Sequence, residues 1–226
     1  MKPILFNTEM VRAILEGRKT VTRRVVKFMQ GKNPNWTGYI KDGLTLYNGT
    51  NEPCNMPAPY KVNDILYVRE TVWQKIGHYL DVDGETKGSY YNEFLYVATD
   101  KEPETGWNYS WVKRPSIHMP KEAARLFLRV TGVRVERLQD MTKEDMLKEG
   151  LVDECKNCKA PFGCDLCMYQ DGVEDEFFHL WNNTIKKDQI NTYGWYANPY
   201  VWVIEFERIT PEQAEGEAAA VLGGKK

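Results

Sequence analysis

The stretch Gly17-Arg18-Lys19-Thr20-Val21-Thr22-Arg23-Arg24 decides how the chain is read. Before it, Met10, Val11, Ile14 and Leu15 recur at helical spacing; after it, β-branched residues predict a strand from Thr20 to Phe28. Gly17 stands where a left-handed residue ends a helix. In an extended chain Thr22 and Arg24 share one side, and the long stem of Lys19 can swing onto that side. A hydroxyl, an amine and a guanidinium then converge on a patch suited to an anionic or carbonyl-bearing ligand. The same eight residues read equally well as a solvated basic turn.

Composition bounds the rest. The chain has 226 residues, 42% of them hydrophobic, with 7 Trp, 13 Tyr and a net charge of −2. That charge argues against bulk, charge-driven nucleic-acid binding, although local clustering can still act. From Val11 to Lys32 there are seven basic residues against the single acid Glu16. No apolar run approaches the ~18 residues that span a membrane, and Met1-Lys2-Pro3-Ile4 has no signal-peptide pattern. The expectation is a soluble cytoplasmic protein with no membrane partner; its oligomeric state is not legible.

Working outward, Pro3 to Phe6 reads as an edge strand and Thr8 as the cap of the first helix. Met29 to Pro59 reads as a long loop with a hairpin around Gly38 to Leu46. Ile65 to Trp73 reads as a strand, and its Glu70 needs a partner if buried; Arg23 or Arg24 is the expected one. Lys75 to Ser89 reads as a polar excursion, Tyr90 to Thr99 as a strand, and Asp100 to Pro115 as turns. A long β pattern follows Ile117-His118-Met119-Pro120, broken at Gly132. Thr142 and Asp145 predict a capped helix that carries Met146 and Leu147 inward and stops at Gly150. A second helix, about Glu174 to Lys187, shows an apolar stripe of Phe177, Phe178, Trp181 and Ile185. Tyr200 to Arg208 alternates as a closing strand. The organisation expected is one α+β domain over residues 1–209, a Cys-rich loop inserted at 153–175, and a tail from 210 that is disordered or a loose helix.

Five cysteines are present, and Cys155, Cys158, Cys164 and Cys167 fall within thirteen residues as C-x-x-C, five residues, C-x-x-C. In a reducing compartment two such pairs suggest a closed tetrahedral zinc site of structural role. Disulfides or an iron–sulfur cluster are the alternatives. Cys54 stands apart.

Gly17, Lys19 and Arg24 match a G-x-K-x-x-x-x-R signature, and on it the chain resembles the ASCH family, related to the PUA RNA-binding domains. Lys2 to Arg24, Asp64 to Thr71, Ile117 to Pro120, Val133 to Glu149 and Trp195 to Ile209 are similar to segments of the longer phage and prophage members. The resemblance implies a PUA-like, partly closed β-barrel with flanking helices and long insertions. The small members that act as N4-acetylcytidine amidohydrolases use a Lys, a Thr and a Glu. By resemblance these become Lys19, Thr22 and Glu149, with Glu144 as the other register for the acid.

In that chemistry a threonine hydroxyl needs a base to become a nucleophile. A lysine serves only if burial or neighbouring positive charge lowers its pKa. The glutamate orients the lysine or protonates the leaving amine. Arg23, Arg24, Glu70 and His118 are the candidate substrate-binding residues. The partner implied is a nucleoside or RNA. The alternatives are a non-catalytic RNA-binding module, with phosphates on Arg12, Arg18, Arg23, Arg24 and Lys27 and bases on Trp36, Tyr39 or Trp73, or a metal-independent ribonuclease. The plain structural reading makes Lys19 and Glu149 an ion pair.

Overall fold

A computed structural model describes residues 1–27, 39–41, 45–47, 58–80, 83, 85–153 and 172–223. In chain order the elements are β1 (Lys2–Leu5), α1 (Thr8–Leu15), β2 (Val21–Val25), β3 (Tyr39–Lys41), β4 (Thr45–Tyr47), β5 (Ile65–Arg69), β6 (Val72–Leu80), β7 (Thr86–Tyr96) and β8 (Tyr109–Arg114). Then come β9 (Phe127–Arg137), α2 (Lys143–Lys148), α3 (Val173–Thr184), α4 (Ile190–Tyr193), β10 (Tyr200–Ile209) and α5 (Pro211–Gly223). The class is the expected α+β. The chain divides into two compact units, one of Met1–Leu15, Asp64–Arg129 and Arg208–Lys226, the other of Glu16–Asn63 and Val130–Glu207.

In the first unit β1 runs parallel to β5, and the start of β9 pairs antiparallel to β5. Helix α1 buries Val11, Ala13 and Ile14, as its spacing predicts. Its cap is Asn7 rather than Thr8: Met10 N–H donates to Asn7 Oδ1 at 2.8 Å, and Thr8 is already the first helical residue. The strand expected over Ile65 to Trp73 is two strands, because the chain leaves the ladder at Glu70, whose N–H donates to Met119 Sδ. The partner of Glu70 is Arg125, at 2.9 and 3.1 Å, rather than Arg23 or Arg24.

The expected polar excursion contains most of β6 and the start of β7, whose remainder is the strand expected from Tyr90, and the turn-rich segment ends in β8. β6 pairs antiparallel with β7 on one side and β8 on the other. Val72 packs with Met119 and Ala123 against Phe94 and Tyr96, and cross-strand pairs hold the outer part of the sheet. Lys75 lies over the rings of Tyr91, Tyr109 and Trp111 at 5.8, 4.9 and 5.9 Å, and Lys113 lies over Trp73 at 5.4 Å. A polar sequence hides these strands because an exposed sheet has no need of apolar alternation.

Where the sequence left a disordered tail or a loose helix open, α5 is helical, and its Ala214 is buried with Ile65 and Ile209. Thr210 and Gln213 cap it reciprocally: Thr210 N–H donates to Gln213 Oε1, and Gln213 N–H to Thr210 Oγ1.

In the second unit β10 lies between β9 and β2, pairing antiparallel with β2 from Val201↔Val25 to Glu205↔Val21. Residues Tyr200 to Ile204 are all buried, so both faces of this strand are covered despite its alternating pattern. Strand β9 passes through Gly132 without a break. A Cβ there would meet the Glu205 side chain, whose carboxylate end can turn aside, so the glycine neither ends the strand nor is demanded by its packing. The core joins Val21, Leu138, Met146, Phe177, Trp181, Val201 and Val203, with Leu147 and Ile185 packed against it. Phe178, expected in that stripe, is half-buried and turns instead to His179 and Tyr196. The expected hairpin is present as β3 and β4. Cys54, Trp36 and the four clustered cysteines lie outside the described residues.

Candidate functional site

Two turns build the site in the second unit. Gly17 has φ +78°, which lets α1 end and the chain reverse into Lys19. Gly150 has φ +101° and ends α2 in the same way, just after Glu149. The two turns meet: Thr20 N–H donates to the Lys148 carbonyl at 2.9 Å, Lys19 and Glu149 form a β-bridge, and Arg18 Nη1 donates to the Gly150 carbonyl. Helix α2 is fixed from its other end by the predicted capping box of Thr142 and Asp145.

The Lys19 side chain is wholly buried. Its Nζ donates to Glu149 Oε2 at 2.6 Å, to the Glu149 carbonyl at 2.9 Å and to the Val21 carbonyl at 2.8 Å. The other oxygen of Glu149 accepts from Arg23 Nη1 at 3.2 Å. Arg23, also wholly buried in its side chain, turns Nε and Nη2 to Glu136 Oε1 at 3.0 and 2.8 Å. Asp145 Oδ2 stands 3.9 Å from Arg23. Buried charges persist here because each faces an opposite one with hydrogen bonds in place.

Thr22 is buried and Arg24 half-buried, and Arg24 Nη1 donates to Thr22 Oγ1 at 3.0 Å, so the predicted sharing of one side holds. The register sets Thr22 and Arg24 opposite Ile204 and Trp202, and Arg23 opposite Val203. Arg23 therefore occupies the other face of β2. Burial lowers the Lys19 pKa below the usual lysine value; Glu149 opposes this, and the Arg24 and Arg23 charges add to it. Burial likewise lowers Arg24, against the pull of Glu149. Burial tends to raise the Asp145 carboxyl, but hydrogen bonds from Thr142 and the Arg23 and Lys148 charges hold it below the usual carboxylate value.

Of the residues singled out from sequence, Glu149 contacts both Lys19 and Arg23, while Thr22 and Arg24 pair with each other on the opposite face of β2 from Arg23. The Lys19 amine, expected on the side of Thr22 and Arg24, bonds to Glu149 and the Val21 carbonyl. Glu70 sits in the first unit against Arg125, and His118 is exposed there at the end of a short turn. Glu144, the other register, is exposed. Sequence reading missed Glu136, and it took Asp145 only as a cap. Glu136 lies in β9 between Arg134 and Arg137, and an acid inside a strand pattern is the signal that marked Glu70. Among the described residues no group of three or more His, Cys, Asp or Glu is placed to hold a metal.

Fold and site together define an α+β protein with a buried lysine–glutamate–arginine network beside a buried threonine. No family model matches the sequence, and neither a curated protein nor a solved structure matches it. No helix among the described residues is long and apolar enough to cross a membrane.

Proposed function

We propose that this chain is an ASCH-type, PUA-like protein, and that Lys19, Thr22 and Glu149 form an amidohydrolase centre for an N4-acylated cytidine-like nucleoside. The observation that carries this reading is the buried Thr22 hydroxyl accepting from Arg24 at 3.0 Å, on the strand entered from Lys19 with its 2.6 Å contact to Glu149 Oε2; the ion pair alone is equally the plain structural reading. Two residues 130 positions apart, assigned to one centre from the G-x-K-x-x-T-x-R stretch and a helix end, meet in the buried interior.

The chemistry follows from the surroundings. Thr22 Oγ attacks the acyl carbonyl as its proton passes to Lys19. The resting ammonium donates to Glu149 Oε2 and to the Glu149 and Val21 carbonyls and must first give up one of those protons, a loss that burial eases. Arg24, donating to Thr22 Oγ1, stabilises negative charge developing on that oxygen. The N4–acyl bond breaks as Lys19 passes the proton taken from Thr22 to the departing amine, and water then cleaves the acyl ester of Thr22 to release the acid and restore the hydroxyl. Glu149 holds the lysine in place.

The rival readings, an RNA-binding module or a ribonuclease, draw on the basic stretch. There Arg12 is engaged with Glu9 and the Ala98 carbonyl, Arg18 with Glu16, and Arg23 is buried. Those bonds compete with phosphate contacts and favour the small-substrate reading. The four clustered cysteines are proposed, on their spacing alone, to hold a structural zinc ion.

The test is incubation of purified protein with N4-acetylcytidine and chromatography for cytidine. Thr22→Val, which keeps size and β-branching, runs beside it. Cytidine formation lost in the variant supports the centre. No cytidine from well-folded wild-type protein, or equal turnover by the variant, rejects it.

A further inference from the structure

A second feature of this unit has no part in that chemistry. Glu174, Asp175, Phe178, His179, Trp195 and Tyr196 line a cavity of about 250 Å³. Helix α3 supplies one wall. Its buried stripe of Val173, Phe177 and Trp181 faces the core. Glu174 with Phe178, and Asp175 with His179, are i, i+4 pairs on another side. The turn Trp195–Ala197 supplies the opposite wall.

That turn is held firmly. Trp195 N–H donates to Asn182 Oδ1 at 3.0 Å, Gln139 Nε2 donates to the Trp195 carbonyl at 2.8 Å, and Trp181 Nε1 donates to the Tyr193 carbonyl at 2.8 Å. Gly194 sits so tightly that a Cβ would lie 2.5 Å from the Ile190 carbonyl oxygen. Yet Tyr196, on this fixed turn, is 85% exposed. A large exposed ring on a well-fixed turn, lining a cavity and leaning on Phe178, is an aromatic surface set out for a ligand.

The lining selects the chemistry. Among the described lining residues there are two carboxylates and no lysine or arginine, which disfavours phosphates and other anions. Acids also suit the first turn of a helix, but that preference accounts for neither the cavity nor the exposed ring. The rings do not form a flat slot: Phe178 and Tyr196 lie 5.4 Å apart at 57°, and Phe178 and His179 lie 5.0 Å apart at 73°. A flat base stacks poorly between tilted planes, whereas a rounded cation meets several ring faces at once. The volume is below the ~300–1,000 Å³ of drug-sized pockets and suits a single head group. We propose that this cavity binds an alkylated ammonium group, of the kind carried by choline-type small molecules or by methylated lysine side chains.

The probes are choline, tetramethylammonium and the neutral tert-butyl isostere of choline, titrated into the whole chain and followed by calorimetry and by NMR of the tryptophan indoles. Both cations should bind, and the neutral isostere should bind roughly tenfold more weakly. Tyr196→Ala and Glu174→Gln, both at exposed positions, should each weaken choline binding several-fold while the circular dichroism stays unchanged. A peptide with trimethyllysine, set against its unmodified form, tells a protein side chain from a free cation as the source. Equal binding of choline and its isostere, no binding of either cation, or wild-type affinity in Tyr196→Ala would each overturn the proposal.

Discussion

The carboxylate of Glu149 joins two buried cations: its Oε2 lies 2.6 Å from Lys19 Nζ and its Oε1 lies 3.2 Å from Arg23 Nη1. The acid comes from the end of α2, and the bases flank and enter β2. Whatever the site does chemically, this bridge ties the helix end to the strand.

Removing one partner therefore leaves a buried charge uncompensated. Lys19→Met should cost roughly 3–5 kcal/mol of stability. The double variant Lys19→Met/Glu149→Gln should recover part of that loss, since the charges leave together. Denaturant unfolding of both singles and the double gives the coupling directly. Additive losses would show that the pair is not coupled. Lys19→Ala is accordingly a poor probe of catalysis alone, and Thr22→Val is the cleaner one.

Asp145 sets an acid limit. Its folded pKa is held below the usual value of 3.8. The unfolded chain thus binds more protons than the native one between the lowered value and 3.8, and stability rises with pH there. The contribution is complete above the unfolded value and is lost as pH falls through the folded one. Asp145→Asn should flatten the stability–pH curve in that window, read by melting temperature from neutral pH down to the onset of acid unfolding. Thr142→Ala, which removes the cap itself, should cost about 1 kcal/mol.

Two glycines should respond in opposite directions. Gly194→Ala forces a methyl against the Ile190 carbonyl oxygen at 2.5 Å, a contact with backbone that cannot swing away, and should cost roughly 1–3 kcal/mol. Gly216 lies exposed within α5 with nothing within 4 Å of an added Cβ. Gly216→Ala should stabilise by about 0.5–1 kcal/mol. Thermal unfolding of the two variants checks the signs.

If the cysteine spacing holds zinc, purified protein should contain roughly one zinc ion per chain. Elemental analysis reads this, and Cys158→Ser should abolish it. Stripping with a strong chelator should lower the melting temperature. Metal-free protein with an unchanged melting temperature would reject the zinc reading.

Much of the frame was legible because it rests on local rules. Gly17 and Gly150 each end a helix by adopting positive φ, and Thr142 with Asp145 caps α2. Met146, Phe177 and Trp181 follow helical spacing into the core. Most of β6, the start of β7 and all of β8 were hidden because their cross-strand cation–aromatic pairs need no apolar period, whereas β7 from Tyr90 was legible. Phe178 was misplaced because the stripe it fits by spacing is wider than the surface the core offers.

By itself the sequence determined the α+β class and the turns that bracket the site, while Lys19, Thr22 and Glu149 entered as a candidate set through the resemblance. Only tertiary structure decided that Arg23 and Glu136 belong to the buried network, that Glu70 answers to Arg125, and that Tyr196 stands open beside two carboxylates. Turns and caps are settled by a few neighbouring residues. A buried charge chooses its partner only when distant segments close around it and exclude water, and no local pattern records that choice.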